Sequence, residues 1–370
     1  MNPVLLPPNS RVLVVVLRRL GDVLLTTSLI RSIKAAYPQA SIDALVFAGT
    51  EGILAGNPDL REIIAIPQRP DFGEALSLMI RLFRRYDLAL SAQTGDRPTA
   101  LAVIAGRQSA GLVEPGGASS FVKRIVLSRS CVSDRHRHRV ADILSLASLL
   151  GIAQRAEIVC SAEVASPRLA PPPPYAVVHA APMFVYKRWT GAGWRALAAA
   201  LRERGFAVAV TGAPGDRAYL DDVLRDADVV RLDGNLTWPE LSALLAGAAV
   251  YIGPDTAITH LAAATGTPTV ALYGPTDPRL WGPWPFGGLD RPWDAAGTIQ
   301  RRRNVWLVQN PLPCLPCQLE GCERRLDSHS QCLDELSVEQ VLSAVDQALK
   351  HDRAEWAPDF RSDHLQTTAS

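Results

Sequence analysis

The segment GPDTAITHLAAATGTPTVALYGPTDP, residues 253–278, most constrains what this chain can fold into. It follows an apolar run at 248–252 that reads as a buried strand. Gly253 and Pro254 then read as a turn, 255–265 as a helix and 268–273 as a second strand. Two buried strands joined by a helix make a βαβ unit, hence a parallel sheet. A helix that opens straight after such a strand presents unpaired backbone N–H groups and the positive end of its dipole. That opening suits an anion such as a diphosphate, held at the carboxyl end of the sheet. Asp255, Thr256 and His260 put polar groups at or near it.

The same rhythm runs through the rest of the chain. Strands are expected at 11–17, 41–47, 63–66, 87–91 and 109–113, and helices at 22–37 and 139–150. The run SPRLAPPPP at 166–174 carries five prolines and suits a stiff, extended linker. The rhythm restarts with strands at 175–179, 206–211 and 229–232 and helices at 194–204, 216–225, 237–246 and 337–350. The expected fold class is therefore α/β, with two Rossmann-like doubly wound parallel-sheet domains at 1–165 and 175–350. Residues 351–370 are polar and expected to form a flexible tail.

A length of 370 residues suits two domains, and a net charge of +1 gives no basis for binding nucleic acid. Basic residues do cluster at Arg135, Arg137 and Arg139, with His136 and His138, and again at Arg301–Arg303. Each cluster reads either as a solvated face or as a surface for a negatively charged acceptor or membrane. No apolar run reaches the length of a membrane span. The run at 12–17 is too short for a signal-peptide core, so a cytoplasmic location with at most peripheral membrane contact is expected. Four of the six cysteines, Cys314, Cys317, Cys322 and Cys332, fall within one short stretch. They read as ligands of a structural zinc or iron, as reduced thiols or as a labile disulfide. Four protein ligands leave no open position, so no catalytic metal is expected there.

Three stretches together resemble glycosyltransferase family 9, the ADP-heptose:lipopolysaccharide heptosyltransferases. They are VLVVVLRRLGDVLLTTSLIRSIKAAYP at 12–38, HAAPMFVYKRWTGAGWRALAAAL at 179–201 and the D-T-x-x-x-H segment at 255–260 with the residues that follow it. The resemblance implies a GT-B architecture, with the active site in a cleft between an N-terminal acceptor domain and a C-terminal nucleotide-sugar domain. It implies an inverting transfer of heptose from ADP-heptose to the inner core of lipopolysaccharide, a lipid-linked saccharide, without a catalytic metal. For the cysteine cluster it implies iron as one occupant.

Asp22 follows the first strand in Leu20-Gly21-Asp22. By position it reads as a helix N-cap; by resemblance it is the general base that takes the acceptor hydroxyl's proton. Lys187 by itself reads as a solvent-facing lysine; the resemblance makes it the cation that meets charge on the leaving diphosphate. Arg188 could assist it, while Trp189 is expected to pack at a helix start. Thr256 can donate to phosphate, Asp255 reads as a cap or as a group that orients its neighbours, and His260 reads as structural or ligand-binding in equal measure. The family has Gly where this chain has Ala257, which cannot take positive φ cheaply. Thr211, Gly212 and Asp216 match the family's nucleoside position; Asp216 reads as a ribose acceptor or as another N-cap.

Other functions are separable on sequence. A nicotinamide oxidoreductase needs Gly-x-Gly-x-x-Gly after a strand and a P-loop kinase needs Gly-x-x-x-x-Gly-Lys; the chain has neither. A relative using another nucleotide sugar or a protein acceptor stays open. A non-catalytic binding protein would have no use for both Asp22 and Lys187.

Overall fold

Val12–Val16 are wholly buried, and a strand covered on both faces pairs on both edges. β1 (Arg11–Val16) lies between β2 (Ser41–Phe47), which carries β3 (Glu62–Ile66) beyond it, and β4 (Tyr86–Ser91), followed by β5 (Gly106–Val113) and β6 (Arg129–Val132). All these pairings are parallel. The order β3-β2-β1-β4-β5-β6 is that of a doubly wound sheet. This computed structural model describes residues 4–161, 169–351 and 353–357. Residues 166–168 of the expected linker, and 352 and 358–370 of the expected tail, lie outside the described residues.

The helix expected at 22–37 is two helices, α1 (Leu20–Leu25) and α2 (Thr27–Ala36). Thr26, Thr27 and Ser28 break the run. Their hydroxyls donate to the carbonyls of Asp22, Leu24 and Leu25 at 2.8, 2.7 and 2.9 Å, the local bonding by which Ser and Thr bend a helix. α3 (Phe72–Leu82), α4 (Asp96–Ala105) and α5 (Ala118–Val126) are not among the expected elements. α4 packs between α3 and α5, and right-handed crossovers put all three on one face of the sheet. α2 packs with α6 (Arg139–Leu150). The chain divides into two compact units, and these elements make up the first, which extends to residue 164 and includes Thr237–Pro239.

The second unit repeats the plan. β7 (Tyr175–His179), β8 (Ala207–Thr211), β9 (Val230–Arg231), β10 (Val250–Pro254), β11 (Thr269–Leu272), β12 (Ile299–Arg302) and β13 (Val305–Val308) form one sheet in the order β12-β13-β11-β10-β7-β8-β9. Only β12 is antiparallel, joined to β13 as a hairpin. Around the sheet lie α7 (Gly191–Glu203), α8 (Arg217–Val223), α9 (Trp238–Gly247), α10 (Ala257–Ala264), α11 (Pro278–Trp281), α12 (Gln331–Asp334) and α13 (Val338–Leu349). The core is apolar and includes the wholly buried Trp194 and Trp306.

Two expectations change here. Gly253 and Pro254 finish β10 instead of turning, and α10 starts at Ala257 instead of Asp255. The basic run Arg301–Arg303 is neither a solvated face nor an acceptor surface. Arg301 lies over the Trp306 ring at 4.9 Å, and the buried Arg302 lies over Trp293 at 5.1 Å and donates to the Pro292 carbonyl. Residues 353–357 are held as well. Trp356 is buried and donates to the Gly266 carbonyl at 3.0 Å, and Arg353 donates to the same carbonyl.

His179 ends β7, and its Nδ1 contacts the carbonyl and hydroxyl oxygens of Thr211, at the end of the neighbouring β8, both at 3.1 Å. Burial pulls its pKa down to about 4, from 6.5. The folded chain thus keeps His179 neutral where the unfolded chain protonates it. Its contribution is complete above about pH 6.5 and is lost as pH falls toward 4, by about 3 kcal/mol in all. Urea unfolding followed by tryptophan fluorescence should show this loss between pH 7 and 4.5, and His179→Gln should flatten it. An equal pH dependence in the variant would refute the assignment.

Candidate active site

In the second sheet β7 and β10 are neighbours, but the chain leaves them for opposite sides: β7 leads toward β8 and β10 toward β11. This is the switch point at which doubly wound sheets bind ligands. Lys187 follows β7 and Asp255 follows β10. Across 68 residues of sequence, the Lys187 ammonium donates to Asp255 Oδ2 at 2.5 Å. Thr276, beyond β11, donates to the same oxygen at 2.7 Å, and the Tyr273 hydroxyl to Oδ1 at 3.3 Å. Burial acts to raise the Asp255 carboxyl, but Lys187, the nearby His260 and Thr276 outweigh it and hold the pKa below the ordinary value. Asp255 is therefore an ionised hub that orients its neighbours, not a helix cap.

Thr256 is the N-cap of α10, its hydroxyl accepting from Thr259 N–H. Ala257 is the first residue of that helix and has no positive φ, so the missing glycine leaves the turn intact. His260 is buried one turn in. Thr276 and Tyr273 were not singled out by sequence. Their only signal is a hydroxyl at each side of the Gly-Pro turn after β11.

Other expected donor residues have structural tasks. Thr211 is buried, its hydroxyl engaged with His179. A Cβ on Gly212 would meet Leu220 at 2.8 Å, so a close approach requires the glycine. Asp216 ends a short 3₁₀ turn, and its carboxylate accepts from Ala213 N–H at 2.8 Å. Arg188 lies over the Tyr219 ring at 4.0 Å. Trp189 is buried and donates to the Leu336 carbonyl at 2.8 Å, as a packing residue does.

In the first unit Asp22 is inside the first turn of α1, whose N-cap is Arg19, so it is not a cap. Its carboxylate faces two guanidinium groups, Arg18 and Arg139, both at 3.4 Å. Arg139 is buried. It also pairs with Asp142 at 3.3 Å and donates to the Ala92 carbonyl at 2.8 Å. The Arg135–Arg139 run is thus no continuous surface. Arg135, His136 and Arg137 are exposed, the His138 ring accepts from Val140 N–H as the cap of α6, and Arg139 turns inward to Asp22.

Cys332 is buried, Cys314 and Cys322 are exposed, and all six cysteines are free. Burial, with a smaller push from the other three thiols, raises the Cys332 thiol to about 12. Among the described residues no group of three or more His, Cys, Asp or Glu is placed to hold an ion. A surface groove of about 1000 Å³ runs along α7 and the end of α8, lined by residues such as Arg195, Arg202 and Asp222, and holds none of the candidate residues.

Two doubly wound sheets of this order are those of a GT-B architecture. The chain belongs to Glycosyltransferase family 9 (heptosyltransferase), whose family model matches residues 76–286. Lipopolysaccharide heptosyltransferase 3 of Escherichia coli (strain K12) is 27% identical over 376 residues, covering 90% of this chain and 96% of the relative. The structure of E. coli heptosyltransferase WaaC with ADP superimposes with a TM-score of 0.71 at 21% identity, covering 91% and 99% of the two chains. The iron-containing dodecameric glycosyltransferase TibC from enterotoxigenic E. coli does so at 0.56 and 16% identity, covering 93% and 77%.

The buried Arg139 predicts unequal costs within its basic run. Arg139→Gln leaves Asp22 and Asp142 without their shared partner and should cost about 3 kcal/mol in urea unfolding. Arg137→Gln, on the surface, should change stability by about 0.5 kcal/mol or less. Equal effects would show that Arg139 is a surface charge.

Proposed function

We propose that this chain transfers heptose from ADP-heptose to a hydroxyl of the inner core of lipopolysaccharide, inverting the anomeric carbon. The observation that carries the reading is the Lys187–Asp255 pair at the switch point of the second sheet, beside the N-terminus of α10. The relatives' names supply the sugar and the nucleotide.

The chemistry follows from the charges. The first N–H groups of α10 and the Thr256 hydroxyl suit the diphosphate. An ammonium has three N–H donors and Asp255 takes one, so Lys187 can also meet the charge that grows on the leaving ADP. Asp22, set between two guanidinium groups, accepts the acceptor hydroxyl's proton as the new bond forms. One direct displacement inverts the sugar, and ADP leaves as a stable anion. No metal enters these steps, and the four cysteines stand outside them. A lipid-linked acceptor brings the enzyme to the cytoplasmic membrane face as a peripheral protein. Among the described residues no helix is long and apolar enough to cross a membrane.

Asp22→Asn should bind ADP normally in calorimetry yet turn over about 10²-fold or more slower, as expected when a general base is lost. Near-normal turnover would remove Asp22 from the mechanism.

Lys187→Ala should weaken ADP binding and slow transfer by a few kcal/mol, and should also lower the melting temperature, because Asp255 is left buried and unpaired. The double variant Lys187→Met/Asp255→Asn should recover stability without recovering transfer. Recovery of transfer as well would reduce Lys187 to a structural partner.

A further inference from the structure

Large apolar side chains that remain exposed are unevenly spread over the described residues. Of fourteen, eight lie on α3 and α5 or immediately after α3. On α3, Phe72, Leu76 and Ile80 recur every fourth residue and share one stripe, with Phe83 just beyond it; Phe72 is 83% exposed and Ile80 70%. On α5, Phe121, Val122, Ile125 and Val126 make a second stripe, with Phe121 and Ile125 each 66% exposed. The two helices flank α4 on the same face of the first sheet. Scattered exposed apolar residues need no explanation, but two adjoining stripes do.

Charge accompanies them. Crossover helices run antiparallel to the strands of a parallel sheet, so the C-terminal ends of α3 and α5 share one edge with the amino ends of the strands. Arg81 and Arg85 are at the end of α3, Arg107 is at the start of β5, and all three are exposed. At the opposite edge Asp71 and Glu74 form the capping box of α3, and Asp96 pairs with Lys123. Residues 1–164 hold 19 Lys and Arg against 14 Asp and Glu, a net +5, which leaves the remainder of a +1 chain at −4.

We infer that the outer face of α3 and α5 docks on an anionic phospholipid bilayer, its apolar stripes entering the headgroup boundary and its arginine edge meeting lipid phosphates. A purely apolar partner would leave Arg81, Arg85 and Arg107 unmet at its border, whereas lipid phosphates meet them, so the charge favours lipid. The inference refines the peripheral contact proposed above and rests on that reading for its purpose; the test reads lipid binding separately from transfer.

The full chain should co-sediment with vesicles of phosphatidylglycerol and phosphatidylethanolamine but not with phosphatidylcholine vesicles, and added salt should release it. Ile80→Asn/Ile125→Asn should lower the partition coefficient about 100-fold, as for two buried side chains at about tenfold each. Arg81→Gln/Arg107→Gln should lower it about tenfold or more and weaken the salt dependence. Both variants should melt at the native temperature, because all four positions are exposed. Native protein that stays in the supernatant with anionic vesicles would overturn the inference. So would an Ile80/Ile125 variant that binds as the native chain does, or a native dimer in sedimentation velocity that this variant dissociates. Transfer to a water-soluble acceptor fragment should be unchanged in both variants; its absence in the native chain would refute the transfer reading while the vesicle result still judged this surface.

Discussion

The parallel pairing of β7 with β10 is the constraint on which the second unit depends. Parallel neighbours cannot be joined by a tight turn, so each continues through its own crossover. At this one place the crossovers diverge, and neither covers the strand ends between them. Lys187 and Asp255 occupy that uncovered position. Their encounter follows from strand order, since nothing local in either segment directs one to the other.

Both units then hold a carboxylate near an arginine or lysine in surroundings that exclude most water. Isolated, either charge would be costly, and removing one partner is worse than never having the pair. Asp255 meets this cost with Lys187, Thr276 and Tyr273, and Asp22 meets it with Arg139 and Arg18. Such pairs are weak evidence for stability. Their use is to keep a carboxylate pointed, which a base or an orienting group requires.

The basic residues show how far position overrides type. Arg137 is on the surface, Arg139 two residues later is buried against Asp22, and Arg301 and Arg302 lie on tryptophan rings. A guanidinium is flat, weakly hydrated and able to stack, so a run of arginines can leave the surface in a way a run of lysines would not.

Much was legible in the sequence. The β-branched runs at β1, β2 and β7 are buried strands whatever surrounds them, and the strand–helix–strand around Asp255 specified a parallel sheet by itself. Local chemistry determines such features: periodicity, caps and turns act over a few residues. Tertiary structure decided the rest. α3 carries a helical apolar period at Phe72, Leu76 and Ile80 but buries only Leu82, so its stripe marks no core face. The break at Thr26–Ser28 depended on which hydroxyls found carbonyls. Arg139 reaching Asp22, and Thr276 and Tyr273 converging on Asp255, are contacts between segments far apart in the chain or on separate elements. Sequence determined which elements form; only the order of strands in the sheets decided which side chains meet, because that order sets distances no local pattern encodes.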